Sequence, residues 1–235
     1  MGGTGLFRGP RIVPQKPGRM GPLFDDRMTT MLDFYTANSS NGQRAAIMIE
    51  ECGLPYTIHK LDLFAGEQRR PEFLEINPAA AIPALVDHDA PGGKPLMLAQ
   101  SGAILLYLAM KTGRFFPQDH ALRALAFQWL MQATTDVAAS SMSLFLLQKF
   151  VPDKSEANDA WFEARIIQQL RVADVHLRGR DYLAGEVSIA DFALFPLTAV
   201  RGPLIERAGD LPDLERWAMT MNARPGVQRG MQAAA

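Results

Sequence analysis

Strand-like patterning stops at Pro117 and does not return, and this one-way change of period constrains the fold more than any other feature of the chain. Between residues 31 and 113, short apolar runs alternate with helical stripes; beyond residue 119, each periodic segment repeats at three and four residues. With 235 residues the chain is long enough for one large core or for two small domains sharing an interface. The change of period divides it into a mixed half, residues 29–113, and an all-helical half, residues 119–230, behind an extension over residues 1–28.

In the mixed half, residues 31–35 read as a strand and 36–41 as a loop. Ala45, Met48, Ile49 and Cys52 then recur at helical spacing, with Gly53 as the stop. Residues 56–63 alternate as a second strand, and 71–76 form a short helix with proline in its first turn. Residues 82–87 and 95–98 read as strands joined antiparallel through Ala90-Pro-Gly-Gly-Lys, before an apolar helix over 101–112 closed by Gly113. The order is βαβαββα, that of a thioredoxin-like domain. In the helical half, 121–150 and 161–177 carry long helical patterns, and Ser188-Ile-Ala-Asp191 spells a capping box flanked by Val187 and Phe192. Residues 1–28 hold five basic and two acidic residues among Gly and Pro, without the apolar stretch of a signal peptide; they read as a flexible or draped extension or as residues before the true start, with an organellar transit peptide as a third reading that Asp25, Asp26 and the shortage of Ser argue against.

Composition removes several classes of function. The 24 Lys and Arg nearly cancel the 25 Asp and Glu, so no global field recruits nucleic acid or an anionic membrane surface. The apolar run at residues 102–110 is too short to cross a bilayer. Cys52 is the only cysteine, which excludes an intrachain disulfide and a CxxC pair and suits a reducing cytoplasm. His59, His88, His120 and His176 have no metal-ligand spacing, and no metal is expected. Cys52, on the apolar stripe of its helix, reads as a buried structural thiol.

Two segments carry a resemblance. Asn77-Pro78-Ala79-Ala80-Ala81-Ile82-Pro83-Ala84-Leu85 and Gln100-Ser101-Gly102-Ala103-Ile104 resemble paired motifs of the glutathione S-transferase superfamily, and the likeness extends over residues 31–225. Ser39-Ser-Asn41-Gly42, Asp62-Leu63 and Gln68-Arg-Arg-Pro71 look closest to the bacterial Nu-class and fungal Ure2-like members. The resemblance implies glutathione as co-substrate, either disulfide reduction or conjugation to a hydrophobic electrophile as the reaction, and a homodimer packed across the two domains. A non-catalytic binding or regulatory protein on the same fold is the alternative, since fold does not fix function.

By the same resemblance, Asn41 and Ser39 are the catalytic candidates. Glutathione reacts as its thiolate, and a thiol near pKa 8.5 is only a few per cent ionised at neutral pH. Lowering that pKa by two units takes about 2.7 kcal/mol, and one hydrogen bond to a charged acceptor supplies roughly 1.5–3 kcal/mol. An amide donates without taking the proton, so Asn41 stabilises the thiolate rather than acting as a base. From residue types alone, Ser39 to Asn41 also read as a simple helix cap. The resemblance further places Ile82 before a cis Pro83, pairing its backbone with the cysteinyl unit. Ser101 and Gln100 take the γ-glutamyl end, with Ser101 also an ordinary N-cap candidate, and Gln68 takes the glycyl end. Gln100 stands where the relatives usually carry Glu, and Ser39 where Nu-class proteins usually carry Thr. Tyr35 falls inside the strand pattern and reads as packing. The clusters Phe127-Trp129-Met131 and Met142-Leu144-Phe145 read as core, the second also as possible pocket wall. Around residues 133–150 the aromatic and basic residues that hold a second glutathione in the Nu class have no clear counterparts.

Overall fold

The computed structural model describes residues 32–235; the extension over 1–28 and the strand start at Met31 lie outside the described residues. The mixed half runs β1 (Leu32–Thr36), α1 (Ser40–Cys52), β2 (Tyr56–Lys60), α2 (Pro71–Ile76), β3 (Ala84–Asp87), β4 (Leu96–Ala99) and α3 (Ser101–Thr112). The sheet order is β2-β1-β3-β4, with β1 parallel to β2 and antiparallel to β3, and β3 antiparallel to β4. This is the expected βαβαββα order.

The strands are trimmed relative to the sequence pattern. β2 ends at Lys60 rather than at residue 63, because β1, the strand beside it, ends at Thr36: Leu61 N–H makes the last bond of the parallel ladder, to Thr36 O at 2.8 Å. β3 starts at Ala84, since Pro83 has no N–H and follows a cis bond. α1 ends at Gly53, whose φ of 69° is open to glycine without a Cβ penalty.

The helical half comprises α4 (His120–Met131), α5 (Ala138–Lys149), α6 (Glu156–Leu177), α7 (Ile189–Val200), α8 (Gly202–Ala208), α9 (Pro212–Asn222) and α10 (Pro225–Ala233). The long helix expected over 121–150 is interrupted by a π turn at Gln132–Val137, which amphipathic spacing does not encode. α6 starts earlier than its apolar stripe, because Ser155 caps it by accepting from Asn158 N–H. One apolar core joins the halves: Ala45 to Ile49 of α1, Ile104 to Leu108 of α3 and Ile189 to Leu197 of α7 contribute to it.

Two polar knots fix the frame. Asp87 of β3 accepts from Tyr107 Oη and pairs with Lys111 Nζ of α3, both carboxylate and ammonium buried, and Lys111 also donates to Asp89 O at 2.9 Å. In the helical half the capping box forms: Asp191, fully buried, accepts from Ser188 N–H at 2.9 Å, Ser188 Oγ at 3.2 Å, Leu183 N–H at 3.0 Å and Trp217 Nε1 at 2.9 Å.

Asp191→Ala leaves three buried N–H donors without an acceptor and is expected to cost roughly 3–5 kcal/mol in chemical denaturation. Burial lifts the Asp191 carboxyl to about 6, above its ordinary value, in spite of these donors. Between about pH 4 and 6 the folded state therefore holds a proton that the unfolded chain has released. The group adds stability as pH falls and withdraws it as pH rises through 6. Asp191→Asn removes this titration, so the stability gap between wild type and variant is expected to narrow as the pH of the denaturation series rises from 5 to 7.

Candidate functional site

Strand direction decides where a site forms. β4 runs antiparallel to β3, which runs antiparallel to β1, so β1 and β4 point the same way and the heads of α1 and α3 emerge at one end of the sheet. The register sharpens this. Ala84 is opposite Tyr35 on one side and Ala99 on the other. Residues 37–41, Ile82 with Pro83, and Gln100 with Ser101 therefore continue off adjacent strands at the same edge. The bond from Leu61 to Thr36 brings the loop that carries Gln68 to that edge as well.

At the head of α1, Ser39 is the N-cap, with φ −160° and ψ 153°; its Oγ accepts from Gly42 N–H at 3.1 Å. Capping uses a lone pair and leaves the hydroxyl proton to donate. The cap reading and the donor reading of Ser39 are thus compatible in one rotamer. Asn41 sits at the second helical position, partly exposed, and its amide has no hydrogen-bond partner among the described residues; the N–H groups of Ser40 and Asn41 are likewise open, as expected of a first turn. Only glycine fits at residue 42: a Cβ there would lie 2.2 Å from Thr36 Oγ1 and 2.7 Å from Ala37 O.

The Ile82–Pro83 bond is cis, and neither the N–H nor the C=O of Ile82 meets a partner among the described residues. Asn77 shapes this loop: its Nδ2 donates to Ala81 O at 2.6 Å, its Oδ1 accepts from Ala79 N–H at 3.2 Å, and its C=O accepts from Ala80 N–H at 3.0 Å. Its presence in the motif is legible, but its task of holding the loop open is not.

At the head of α3 the structure corrects one expectation. Gln100, not Ser101, is the N-cap, and it makes no side-chain cap bond; Ser101 is the first helical residue, 7% exposed. Gln100 has φ 74°, a conformation that costs a non-glycine residue roughly 1–3 kcal/mol and that clusters at functional sites. The first internal bond of α3 is Ile104 N–H to Gln100 O, so the N–H groups of Ser101, Gly102 and Ala103 are open at a helix N-terminus. The π turn lies against this head, with Thr134 Cγ2 3.6 Å from the position of a Cβ on Gly102. Nothing in the sequence pattern links Thr134 to the site.

Gln68 is tied to its own loop: Nε2 donates to Leu63 O at 3.3 Å, while Oε1 is buried with no partner among the described residues. The open group is therefore an acceptor. Other candidates fall into structural roles. Tyr35 stacks on His59 at 4.5 Å and packs on Phe73 at 5.8 Å, and burial raises its phenol further from ionisation. Burial pushes the Cys52 thiol up to about 11, beside Thr112 Oγ1 at 3.5 Å, so it is not a thiolate at neutral pH. His176 Nε2 is 2.8 Å from Leu183 O, and His59 and His88 both bind the Asp33 carboxylate. Leu144 and Trp129 are core, whereas Met131, Met142 and Phe145 are exposed. Among the described residues no group of histidine, cysteine and acidic side chains is arranged to hold a metal ion, and no helix is long and apolar enough to cross a membrane.

Comparison with known proteins bears on the same segments. The family model for the glutathione S-transferase N-terminal domain matches residues 38–111, and that for the C-terminal domain matches residues 134–225. The disulfide-bond oxidoreductase YfcG of Escherichia coli is 35% identical over 204 residues, covering 86% of this chain and 94% of that protein. A Burkholderia graminis glutathione transferase, solved with two glutathione molecules per subunit, aligns with a TM-score of 0.80 at 36% identity over 86% of this chain and 88% of its own. A Pseudomonas putida glutathione transferase with one glutathione disulfide per subunit aligns at 0.79 and 34% identity, over 86% and 91% of the two chains. Matched in both halves by its family models and by relatives of the same domain order, the chain belongs to the glutathione S-transferase family.

Proposed function

We propose that this protein binds glutathione at the edge shared by α1 and α3 and uses its thiolate to reduce disulfides. The observation that carries the reading is the set of unspent hydrogen-bonding groups gathered there: the Asn41 amide, the Ser39 proton, the backbone of Ile82 and the three N–H groups at the head of α3. Buried or half-buried polar groups seldom stay unpaired. Glutathione matches them group by group. Its γ-glutamyl carboxylate is an anion for the head of α3, with Ser101 and Gln100 beside it. The cysteinyl N–H and C=O pair with the Ile82 backbone as a short strand does. The thiolate accepts from Asn41 and Ser39, and the loop of Gln68 lies at the glycyl end.

The reaction balances on two glutathiones. A bound thiolate attacks one sulfur of a disulfide, forms the mixed disulfide and expels the other sulfur as thiolate; a second glutathione thiolate attacks the mixed disulfide, releasing the second thiol and oxidised glutathione. Two bound glutathiones and one bound glutathione disulfide, the contents of the two related structures, are the reduced and oxidised sides of this balance in those proteins. The YfcG likeness favours the same chemistry. A second reading, conjugation of the thiolate to a hydrophobic electrophile, is favoured by the exposed apolar side chains Met131 and Met142, which flank the π turn. The protein acts as a homodimer on the family pattern.

Purified protein is expected to turn over 2-hydroxyethyl disulfide with glutathione faster than a chlorodinitrobenzene-type electrophile. Retention on immobilised glutathione without turnover of either substrate would instead identify a binding protein. Asn41→Ala is expected to lower kcat about 10- to 100-fold with little change in KM for glutathione, and Ser101→Ala to raise that KM about tenfold with kcat nearly intact, in steady-state assays. Gln100→Glu restores a carboxylate facing the glutathione amino group and is expected to lower the same KM several-fold.

A further inference from the structure

Arg44 is 1% exposed, and its Nε and Nη2 atoms are buried with no hydrogen-bond partner among the described residues. An unpaired guanidinium inside a protein is costly, and unsatisfied groups of this kind call for a reason. Among the described residues, no acidic side chain on the elements around it is free to pair with it. On α1, Glu50 accepts from Tyr56 Oη and pairs with Arg229 of α10, and Glu51 takes both nitrogens of Arg224 in a fork. On α3, Lys111 is committed to Asp87, and near its end Arg114 donates to Cys52 O. On α7, Asp191 is at the far end with its own four donors, and Arg201, just past the helix, is bound to Ser141. Lys60 of β2 is spent on Ala235 O. Among the described residues Arg44 is the buried cation with no carboxylate on it.

Its place follows from helix geometry. Gly42 is pressed onto Thr36 and Ala37 at the end of β1, and Arg44, two positions or about 200° further round, points away from the sheet. α10 runs antiparallel along that side: a Cβ on Gly226 would meet Glu51, and one on Gly230 would lie 2.4 Å from Ile47 Cα, so the carbonyl end of α10 comes level with Arg44. The negative end of a helix dipole tolerates a buried cation without neutralising it. Asn41 is one turn nearer the head, three residues away, where side chains of an α-helix are neighbours. Burial lowers the Arg44 pKa to about 10, which leaves it charged at neutral pH.

We propose that Arg44 is a positioning residue for the reaction, a buried and unneutralised cation behind Asn41 whose field favours glutathione as thiolate over thiol. This rests on the glutathione reading above. A charge on the order of 10 Å away, at the effective dielectric of protein sites, is worth about one pKa unit to an ionising group. That adds to what two hydrogen bonds supply and does not require contact with the ligand.

The test is the ionisation of bound glutathione, followed by thiolate absorbance near 240 nm against pH in wild type, Arg44→Met, Arg44→Gln and Arg44→Lys, with affinity for S-methylglutathione measured alongside. The two neutral variants are expected to raise the pKa of the bound thiol by about one unit, Arg44→Lys to stay near wild type, and S-methylglutathione, which has no thiol to ionise, to bind all four alike. An unchanged pKa in either neutral variant that binds overturns the role of Arg44 and leaves the glutathione reading standing. Absence of glutathione binding by wild type overturns that reading and the proposal with it. A parallel titration of wild type decides the matter if the neutral variants do not fold. A buried source is poorly screened, so the bound pKa is expected to hold between low salt and 1 M salt; a rise of about one unit would assign the field to exposed charges and overturn the proposal.

Discussion

Helix α1 is enclosed on all sides, and the rest of the molecule is arranged by that fact. Ala45 to Ile49 have no exposure, a run of five residues too long for one amphipathic face. The sheet takes one side, through the core shared with Leu32, Phe34 and Leu85, α3 another, and α7 and α10 the remainder. An element buried in this way cannot shift without disturbing both halves, because close-packed interiors transmit displacement. Its head is located by contact at Gly42 and its tail by the Glu51–Arg224 fork, with oxygens at 3.0 and 2.7 Å from the two guanidinium nitrogens. The open groups of Ser39 and Asn41 inherit that rigidity, and pre-organised donors are worth more than mobile ones.

The same enclosure explains which features were legible in the sequence. α2 is readable to the residue, since Pro71 pre-sets the first turn and its missing N–H costs nothing there. The capping box at Ser188 is readable for a similar reason: its partners lie three residues apart. β2 is overextended by the pattern because alternation continues past the point where β1, the strand it pairs with, ends at Thr36. The π turn at Gln132–Val137 has no local signature and is shaped by packing against α6 and α7, with Thr134 against the head of α3 at Gly102.

The site divides along the same line. The cis bond between Ile82 and Pro83 is legible because the motif is the loop, whereas the bonds by which Asn77 shapes that loop are not. Gln100 as the cap of α3 is not, since its positive φ is imposed by the junction of an edge strand with a helix. Arg44 is the extreme case. In the string Asn-Gly-Gln-Arg-Ala-Ala it reads as one more polar residue of a first turn, and it becomes a buried charge only when α10 arrives from the far end of the chain.

Charge at the two helix heads then forms a consistent set on the proposed reading. A carboxylate at position 100 would hold the glutathione amino group but would also place a negative charge at the edge where a thiolate has to form. Like charges raise the pKa of an ionising acid. Glutamine offers the amino group a neutral acceptor in place of a charged one and removes that opposition, while a buried cation behind Asn41 acts in the other direction. Both features move the local balance toward the anion. Binding that is equal in ground and transition states does not raise turnover, whereas interactions that grow with developing charge do. A site with a weaker grip on the co-substrate and a stronger bias toward its thiolate is therefore arranged for rate when glutathione is abundant, rather than for retention when it is scarce.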